Sequence, residues 1–313
     1  MRVSTIRREA EGVLSVELAR CDGGAIAEIS AGAHLNLNLP NGLARSYSLL
    51  NGPDELESYR IAVFLDPNSR GGSRYVHESL QVGQVLTVSS PANNFPLAED
   101  APHSVFIAGG IGVTPFCAMA KQLNRTARAW TLVYGAKSRS RAAFVGELEL
   151  LAAVGKGALH VHFDDEQQGR LLDIASIIEG SPPDAHFYCC GPSSMLENYR
   201  IAAAHLPPHR VHYEYFSASK GEGVDTEFTI VLARSGRRLT VPAGMTILDI
   251  LLDAGIPASF SCQSGFCGTC ETKVIAGQPD HRDIMLSDQA RAANDRLMIC
   301  CSRSLSQELV LDL

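Results

Sequence analysis

The stretch Ser261-Cys262-Gln263-Ser264-Gly265-Phe266-Cys267-Gly268-Thr269-Cys270 sets three thiols at C-x4-C-x2-C spacing, and Cys300 supplies a fourth after 29 intervening residues. A chain with this feature must fold so that a tight loop and a distant segment bring four sulfurs to one point. Four thiolates are what a 2Fe-2S cluster needs, and the spacing is that of plant-type clusters rather than the C-x2-C-x2-C run of bacterial ones. Ser261, Ser264, Gly265, Gly268 and Thr269 are small, so the loop can wrap tightly and aim backbone N–H groups at the sulfurs. A zinc ribbon would present two C-x2-C pairs, whereas only Cys267 and Cys270 form one. The opening residues, Met1 to Glu9, lack the apolar run of a signal peptide, so a reducing cytoplasm is expected and disulfides are not. Cys301 adjoins Cys300; neighbouring strand residues face opposite ways, so one of the two serves, and Cys300 is preferred.

Before this loop lie some 260 residues whose grammar changes once. From Val3 to about Leu97 short runs alternate with period two: Gly12 to Leu18, His34 to Leu39, Tyr59 to Leu65 and Val85 to Val88. Half-buried strands have that period, and the turns at Asp22-Gly23-Gly24, Pro40-Asn41-Gly42 and Asn51-Gly52-Pro53 predict closure as an antiparallel barrel. Within it, Arg45 and Tyr47 of Arg45-Ser46-Tyr47-Ser48 share one strand face, which suits a guanidinium on a phosphate and a ring on a flat heterocycle. Asn68 to Arg74 reads as a glycine-rich, basic loop able to cradle the same phosphate.

Around Asp100 strands begin to alternate with helical stretches, the pattern of a doubly wound parallel sheet. The apolar run Ser104 to Ala108 enters Gly109-Gly110-Ile111-Gly112-Val113, and Thr114 is expected to cap a helix that starts at Pro115. Such a turn lets backbone approach a dinucleotide pyrophosphate at a helix N-terminus, although the spacing is not G-x-G-x-x-G. Later strands are expected at Ala129 to Gly135, Leu159 to Phe163 and Ala185 to Cys190, with Ser194 and Glu197 as a capping box after the last. His160, His162 and His186 read as packing or rim residues. Residues 217–226 have linker composition, and a hairpin of Phe228 to Leu232 with Leu239 to Val241, then a helix from Thr246 to Ala254, lead into the thiol loop.

Bulk properties exclude other classes. A net charge of −7 disfavours nucleic acid or an anionic membrane as partner, and no segment approaches the ~20 apolar residues of a span.

Together, R-x-Y-S, the Gly-Gly-Ser loop, G-G-I-G-V-T-P, C-C-G-P and the carboxy-terminal thiol set resemble the phthalate dioxygenase reductase family along essentially the whole chain. The resemblance implies a multidomain protein: an antiparallel flavin barrel over 1–98, an α/β doubly wound nucleotide domain over 99–216, a linker over 217–226 and an α+β, β-grasp ferredoxin domain over 227–313. It implies that Arg45, Ser46, Tyr47 and Ser48 hold FMN, with Ala62, Val63 and Phe64 along the ring, Gly71, Gly72 and Ser73 at the phosphate, and Phe216 covering the isoalloxazine. Gly109, Gly110, Gly112, Thr114, Pro115, Cys190, Gly191 and Pro192 are implied for the dinucleotide, with Ser48, Thr114 and Cys190 nearest the reacting atoms. Cys262, Cys267, Cys270 and Cys300 are implied as cluster ligands. The same residues at the phosphate would also suit an FAD pyrophosphate. NADH is expected over NADPH, although Lys137-Ser138-Arg139-Ser140-Arg141 would tolerate a 2′-phosphate. The expected activity is electron transfer from NADH, through FMN and the cluster, to a separate Rieske oxygenase, by a monomeric cytoplasmic protein. A haem monooxygenase as acceptor, or a redox sensor, are the other readings. Asp280-His281-Arg282-Asp283 is a further family-like stretch with no chemistry assigned.

Overall fold

A computed structural model describes the chain except for Arg70, residues 217–224, Ser261, Cys262, Ser264, Phe266, Cys267 and Ile284. Two expected ligands and most of the expected linker therefore lie outside the described residues. The chain divides into two compact units, Met1–Phe216 and Ser217–Leu313. Among the described residues no helix is long and apolar enough to cross a membrane.

The first unit opens with β1 (Arg2–Ala10), β2 (Val13–Ala19), β3 (His34–Asn38), β4 (Ala44–Ser48), β5 (Ser58–Phe64), α1 (Gly72–Glu78) and β6 (Thr87–Val88). These strands form two three-stranded sheets, ordered β1-β2-β5 and β4-β3-β6. Bridges between Leu49 and Ile61 and between Arg2 and Val85 sew the sheets together, so the antiparallel barrel closes as its alternating pattern predicts. Inward residues at every second position, Leu35 and Leu37 of β3 and Val16 and Leu18 of β2 among them, are fully buried. The expected strand from Val85 is shorter than read, because the chain passes from one sheet edge to the other there: Leu86 N–H donates to the Met1 carbonyl at 2.8 Å.

The nucleotide half follows: β7 (His103–Gly109), α2 (Thr114–Arg125), β8 (Ala129–Ala136), α3 (Val145–Val154), β9 (Gly157–Phe163), α4 (Ile174–Glu179), β10 (His186–Cys190), α5 (Ser193–Ala202) and β11 (Val211–Glu214). All five strands are parallel, in the order β11-β10-β7-β8-β9. After β9 the chain returns to the far side of β7 to lay down β10, which makes the β7/β10 boundary the topological switch point. Two local expectations fail here. Thr114 is the first helical residue of α2, not its cap, because a 3-10 turn over Gly110–Val113 already feeds the helix and its hydroxyl donates to the Ile111 carbonyl at 3.0 Å. The Ser194/Glu197 capping box is absent, since α5 starts one residue earlier behind Pro192, which offers no side-chain acceptor.

Barrel and sheet share one core. Phe95, from the barrel's exit, packs on Phe116 and Tyr188 at ring distances of 6.1 and 5.8 Å, and Phe106 stacks on Phe116 at 4.9 Å. Fully burying a ring of this size stabilises by roughly 1.5–3 kcal/mol, so the contact binds the two halves firmly. A polar clamp adds to it: Lys121 of α2 meets Glu55 at 2.9 Å and Glu147 at 3.0 Å, and Arg60 of β5 meets Glu147 at 2.8 Å.

The second unit contains β12 (Phe228–Leu232), β13 (Arg238–Val241), α6 (Ile247–Asp253), β14 (Glu271–Ala276), β15 (Pro279–Asp280), α7 (Asp288–Ala293), β16 (Arg296–Met298), β17 (Arg303–Ser304) and β18 (Glu308–Leu311). Its mixed sheet runs β13-β12-β18-β14-β16, with β12 and β18 parallel and a short β15/β17 pair beside it. Thr246 caps α6 in a reciprocal capping box with Asp249, and α6 buries Ile247, Leu248 and Leu251 against the sheet.

Candidate redox-cofactor sites

The phosphate cradle is built from two segments that are far apart in sequence. Arg45 lies in β4, and its aliphatic stem crosses directly over Gly72: a Cβ on that glycine would fall 2.7 Å from Arg45 Cγ and 2.8 Å from Nε. Gly71 holds φ +97, a left-handed conformation that favours glycine. The stretch read as a loop is therefore half helix, with Gly71 capping α1 and Ser69 Oγ accepting from the Gly71 and Arg74 N–H groups and from Ser73 Oγ. His77 on α1 bonds the Val63 carbonyl at 2.9 Å, which seats the helix on β5. A cation beside a glycine-lined helix start fits a terminal phosphate. Ser46 Oγ donates to Asn36 Oδ1, and Ser48 is buried at the end of β4. Burial pushes the Tyr47 phenol up to about 12. Of the three residues implied along a flavin ring, Ala62 and Val63 are buried and only Phe64 is exposed.

At the switch point the two glycine motifs interlock. A Cβ on Gly112 would stand 2.2 Å from the Cys190 carbonyl oxygen and 2.8 Å from Gly191 N, while one on Gly109 would meet Pro192 Cδ at 2.7 Å. Gly191 comes within 3.1 Å of Gly109 N on the same measure. Gly110, at φ +55, has open space where a side chain would go. Bare backbone facing a crevice at the carboxyl ends of parallel strands fits a dinucleotide. Thr114 and Pro115, at the start of α2, are both buried. The Cys190 thiol is fully buried and burial holds its pKa well above the usual thiol value.

Sequence reading missed one group here. Glu214, the register partner of Cys190 across β10 and β11, is buried, and desolvation raises its pKa to about 8. Its Oε2 finds no hydrogen-bond donor among the described residues. An acidic residue in the otherwise aromatic Tyr213-Glu214-Tyr215-Phe216 run was the available signal. Phe216, two residues on, is partly exposed.

Both arginines of the basic turn after β8 are already ion-paired. Arg139 pairs with Glu166, its Nη2 3.0 Å from Oε2, and its guanidinium lies 4.6 Å above the Phe163 ring. Arg141 meets Glu11 at 2.7 Å and draws that carboxyl below its ordinary pKa.

In the second unit Cys270 and Cys300 are both buried, and the Ile299 N–H reaches the Cys270 carbonyl at 3.4 Å, bringing the two segments side by side. Cys300 and Cys301 sit in a turn after β16, so strand alternation does not discriminate between them. Cys301 Sγ packs beneath the thiol loop, 2.5 Å from where a Gly265 Cβ would be. Cys262 and Cys267 are outside the described residues.

Residues 106–200 match the family described as oxidoreductase NAD-binding domain, and residues 230–305 match the 2Fe-2S iron-sulfur cluster binding domain. Tetrachlorobenzoquinone reductase of Sphingobium chlorophenolicum is 50% identical over 315 residues, spanning 100% of this chain and 97% of that protein. Phenoxybenzoate dioxygenase subunit beta of Ectopseudomonas oleovorans is 48% identical, again over 100% and 97%. Among solved structures, phthalate dioxygenase reductase, described as modular for electron transfer from pyridine nucleotides to a 2Fe-2S centre, superposes with a TM-score of 0.87 at 37% identity, covering 100% of this chain and 97% of that one.

Proposed function

The chain belongs to the phthalate dioxygenase reductase family, and from that premise we propose that it takes electrons from NADH and delivers them, through FMN and a 2Fe-2S cluster, to the Rieske centre of a separate oxygenase. One observation carries the reading: a dinucleotide crevice, a phosphate cradle and a plant-type thiol set occur in a single chain in that family's order. When bound, the flavin accepts two electrons together and releases them singly, matching nicotinamide to iron-sulfur chemistry.

The chain's own residues bind, orient and exclude water. Arg45 and the Gly71-Gly72-Ser73 helix start would hold the flavin phosphate, Tyr47 and Phe64 would lie along the ring, Ser48 would orient it, and Phe216 would cover it. Gly109, Gly110, Gly112, Gly191 and Pro192 seat the pyrophosphate, while Thr114, Pro115 and Cys190 line the nicotinamide end. Burial raises the pKa of Glu214, the register neighbour of Cys190, to about 8, which favours its neutral carboxyl form. No general base is needed for hydride transfer. Cys262, Cys267, Cys270 and Cys300 ligate the cluster, and electrons leave near Gln263 to Phe266. The protein works as a cytoplasmic monomer.

The test is reconstitution with purified Rieske oxygenases. Substrate turnover dependent on this reductase and NADH is expected with at least one of them, and heat-released flavin should chromatograph as FMN. Transfer to none, or release of FAD, overturns the reading.

Cofactor choice is a separate expectation. Because Glu166 occupies the Arg139 fork and so competes with a 2′-phosphate for it, NADH should exceed NADPH in kcat/KM at least tenfold, about 1.4 kcal/mol. Glu166→Gln should narrow the NADH/NADPH ratio severalfold, and more so at low salt. An unchanged ratio at every ionic strength would exclude Glu166 as the discriminator.

A further inference from the structure

Resting on the reading of the thiol loop as a 2Fe-2S site, we propose that Asp283 is its positioning residue and that its buried charge holds the cluster's reduction potential down. Asp283 closes the Asp280-His281-Arg282-Asp283 stretch and has no solvent exposure. Its Oδ2 accepts from the Met285 and Leu286 N–H groups at 3.1 and 2.9 Å, and its Oδ1 accepts from Ser302 Oγ at 3.3 Å. Ser302 Oγ in turn accepts the Arg282 N–H at 3.1 Å, so the carboxylate links Arg282, Met285 and Leu286 to the turn that carries Cys300.

The third segment is the thiol loop itself. A Cβ on Gly265, between Cys262 and Cys267, would lie 3.1 Å from Asp283 Cα and 3.4 Å from its Cβ. Gly265 also holds φ +76, so the loop rests on Asp283 through bare backbone in a conformation other residues adopt only under strain. Asp283 thus meets Gly265 through its Cα and Cβ and, through its carboxylate and Ser302, is tied to the turn that carries Cys300. Arg291 Nη2 binds the Asp283 main-chain carbonyl at 2.6 Å and His281 Nδ1 stands 3.8 Å from Oδ1, while the three donors at the two carboxyl oxygens are uncharged N–H and O–H groups.

Net charge and hydrogen bonding around a cluster set its potential, and a negative charge in a buried site disfavours the added electron. Asp283→Asn keeps the size and one acceptor oxygen while deleting the charge. In the full-length holoprotein, an EPR-monitored titration of this variant should show the cluster retained and its midpoint raised by 59 mV or more, a tenfold change in the one-electron equilibrium. A loaded cluster with wild-type midpoint and g values overturns the proposal. If the Asn variant loses its cluster, Asp283→Glu decides: restored cluster at the wild-type midpoint supports the role of the charge, and failure to restore it overturns that role. A wild-type protein without any 2Fe-2S signal would instead refute the underlying site reading.

Discussion

Replacing Cys270 by Ser should abolish the 2Fe-2S absorbance and electron delivery through the cluster to the oxygenase, while NADH-driven ferricyanide reduction at the flavin survives. The expectation follows from chemistry and from architecture. Cluster iron needs four thiolates, Cys270 is buried beside the Cys300 turn, and a hydroxyl is a far poorer ligand. The residues proposed for the flavin and the dinucleotide all belong to the other compact unit, Met1–Phe216, whose core includes none of the thiol-loop residues. Losing the cluster should therefore lower the stability of Ser217–Leu313 alone, because metal binding and folding are coupled there. The paired control is Cys301→Ala, which should keep full cluster content. A normal visible spectrum in the Cys270 variant, or loss of the cluster in the Cys301 variant, would require a different ligand set.

The second large effect is expected at Gly112. Its added methyl would stand 2.2 Å from the Cys190 carbonyl oxygen, and no side chain can move aside, since the obstacle is backbone of the adjacent strand end. Relief requires β7 and β10 to part by most of an ångström at the switch point. Misplacement on that scale can cost ~100-fold in rate, so kcat/KM for NADH in the Gly112→Ala variant should fall by about that factor, with overpacking destabilising the unit by roughly 1–3 kcal/mol. Gly146→Ala in α3 is the internal comparison: nothing lies within 4 Å of its Cβ position and it is outside the proposed dinucleotide crevice, so it should keep near wild-type activity. Stopped-flow reduction of the flavin by NADH measures both; equal losses would mean that the interlock does not shape the dinucleotide site.

The His186/His212 pair illustrates how a rim reading gains detail from packing. His186 was legible as a strand residue, but not that its ring stacks on His212 at 5.5 Å, nor that His212 in turn stacks on Tyr188 at 4.3 Å. Desolvation, followed by repulsion from His186 and His209, lowers the His212 pKa to about 4.

What the sequence by itself determined are the features written at fixed local spacing. Period-two runs specify the barrel strands, Thr246 begins the α6 stretch, the apolar run into Gly109 marks a strand meeting a glycine turn, and C-x4-C-x2-C marks a 2Fe-2S domain. Each works over a few residues, where propensity and pleat decide the outcome without reference to the rest of the chain. Only the tertiary structure decided that Arg45 lies over Gly72, that Gly112 seats on Cys190, that Glu214 is desolvated, that Glu166 claims Arg139 and that Asp283 underlies Gly265. The paired residues are separated by 18 to 78 positions, and their contacts depend on strand order. Inserting β10 beside β7 rather than beyond β9 creates the crevice, and that choice is made by burial of whole faces, which no short motif encodes.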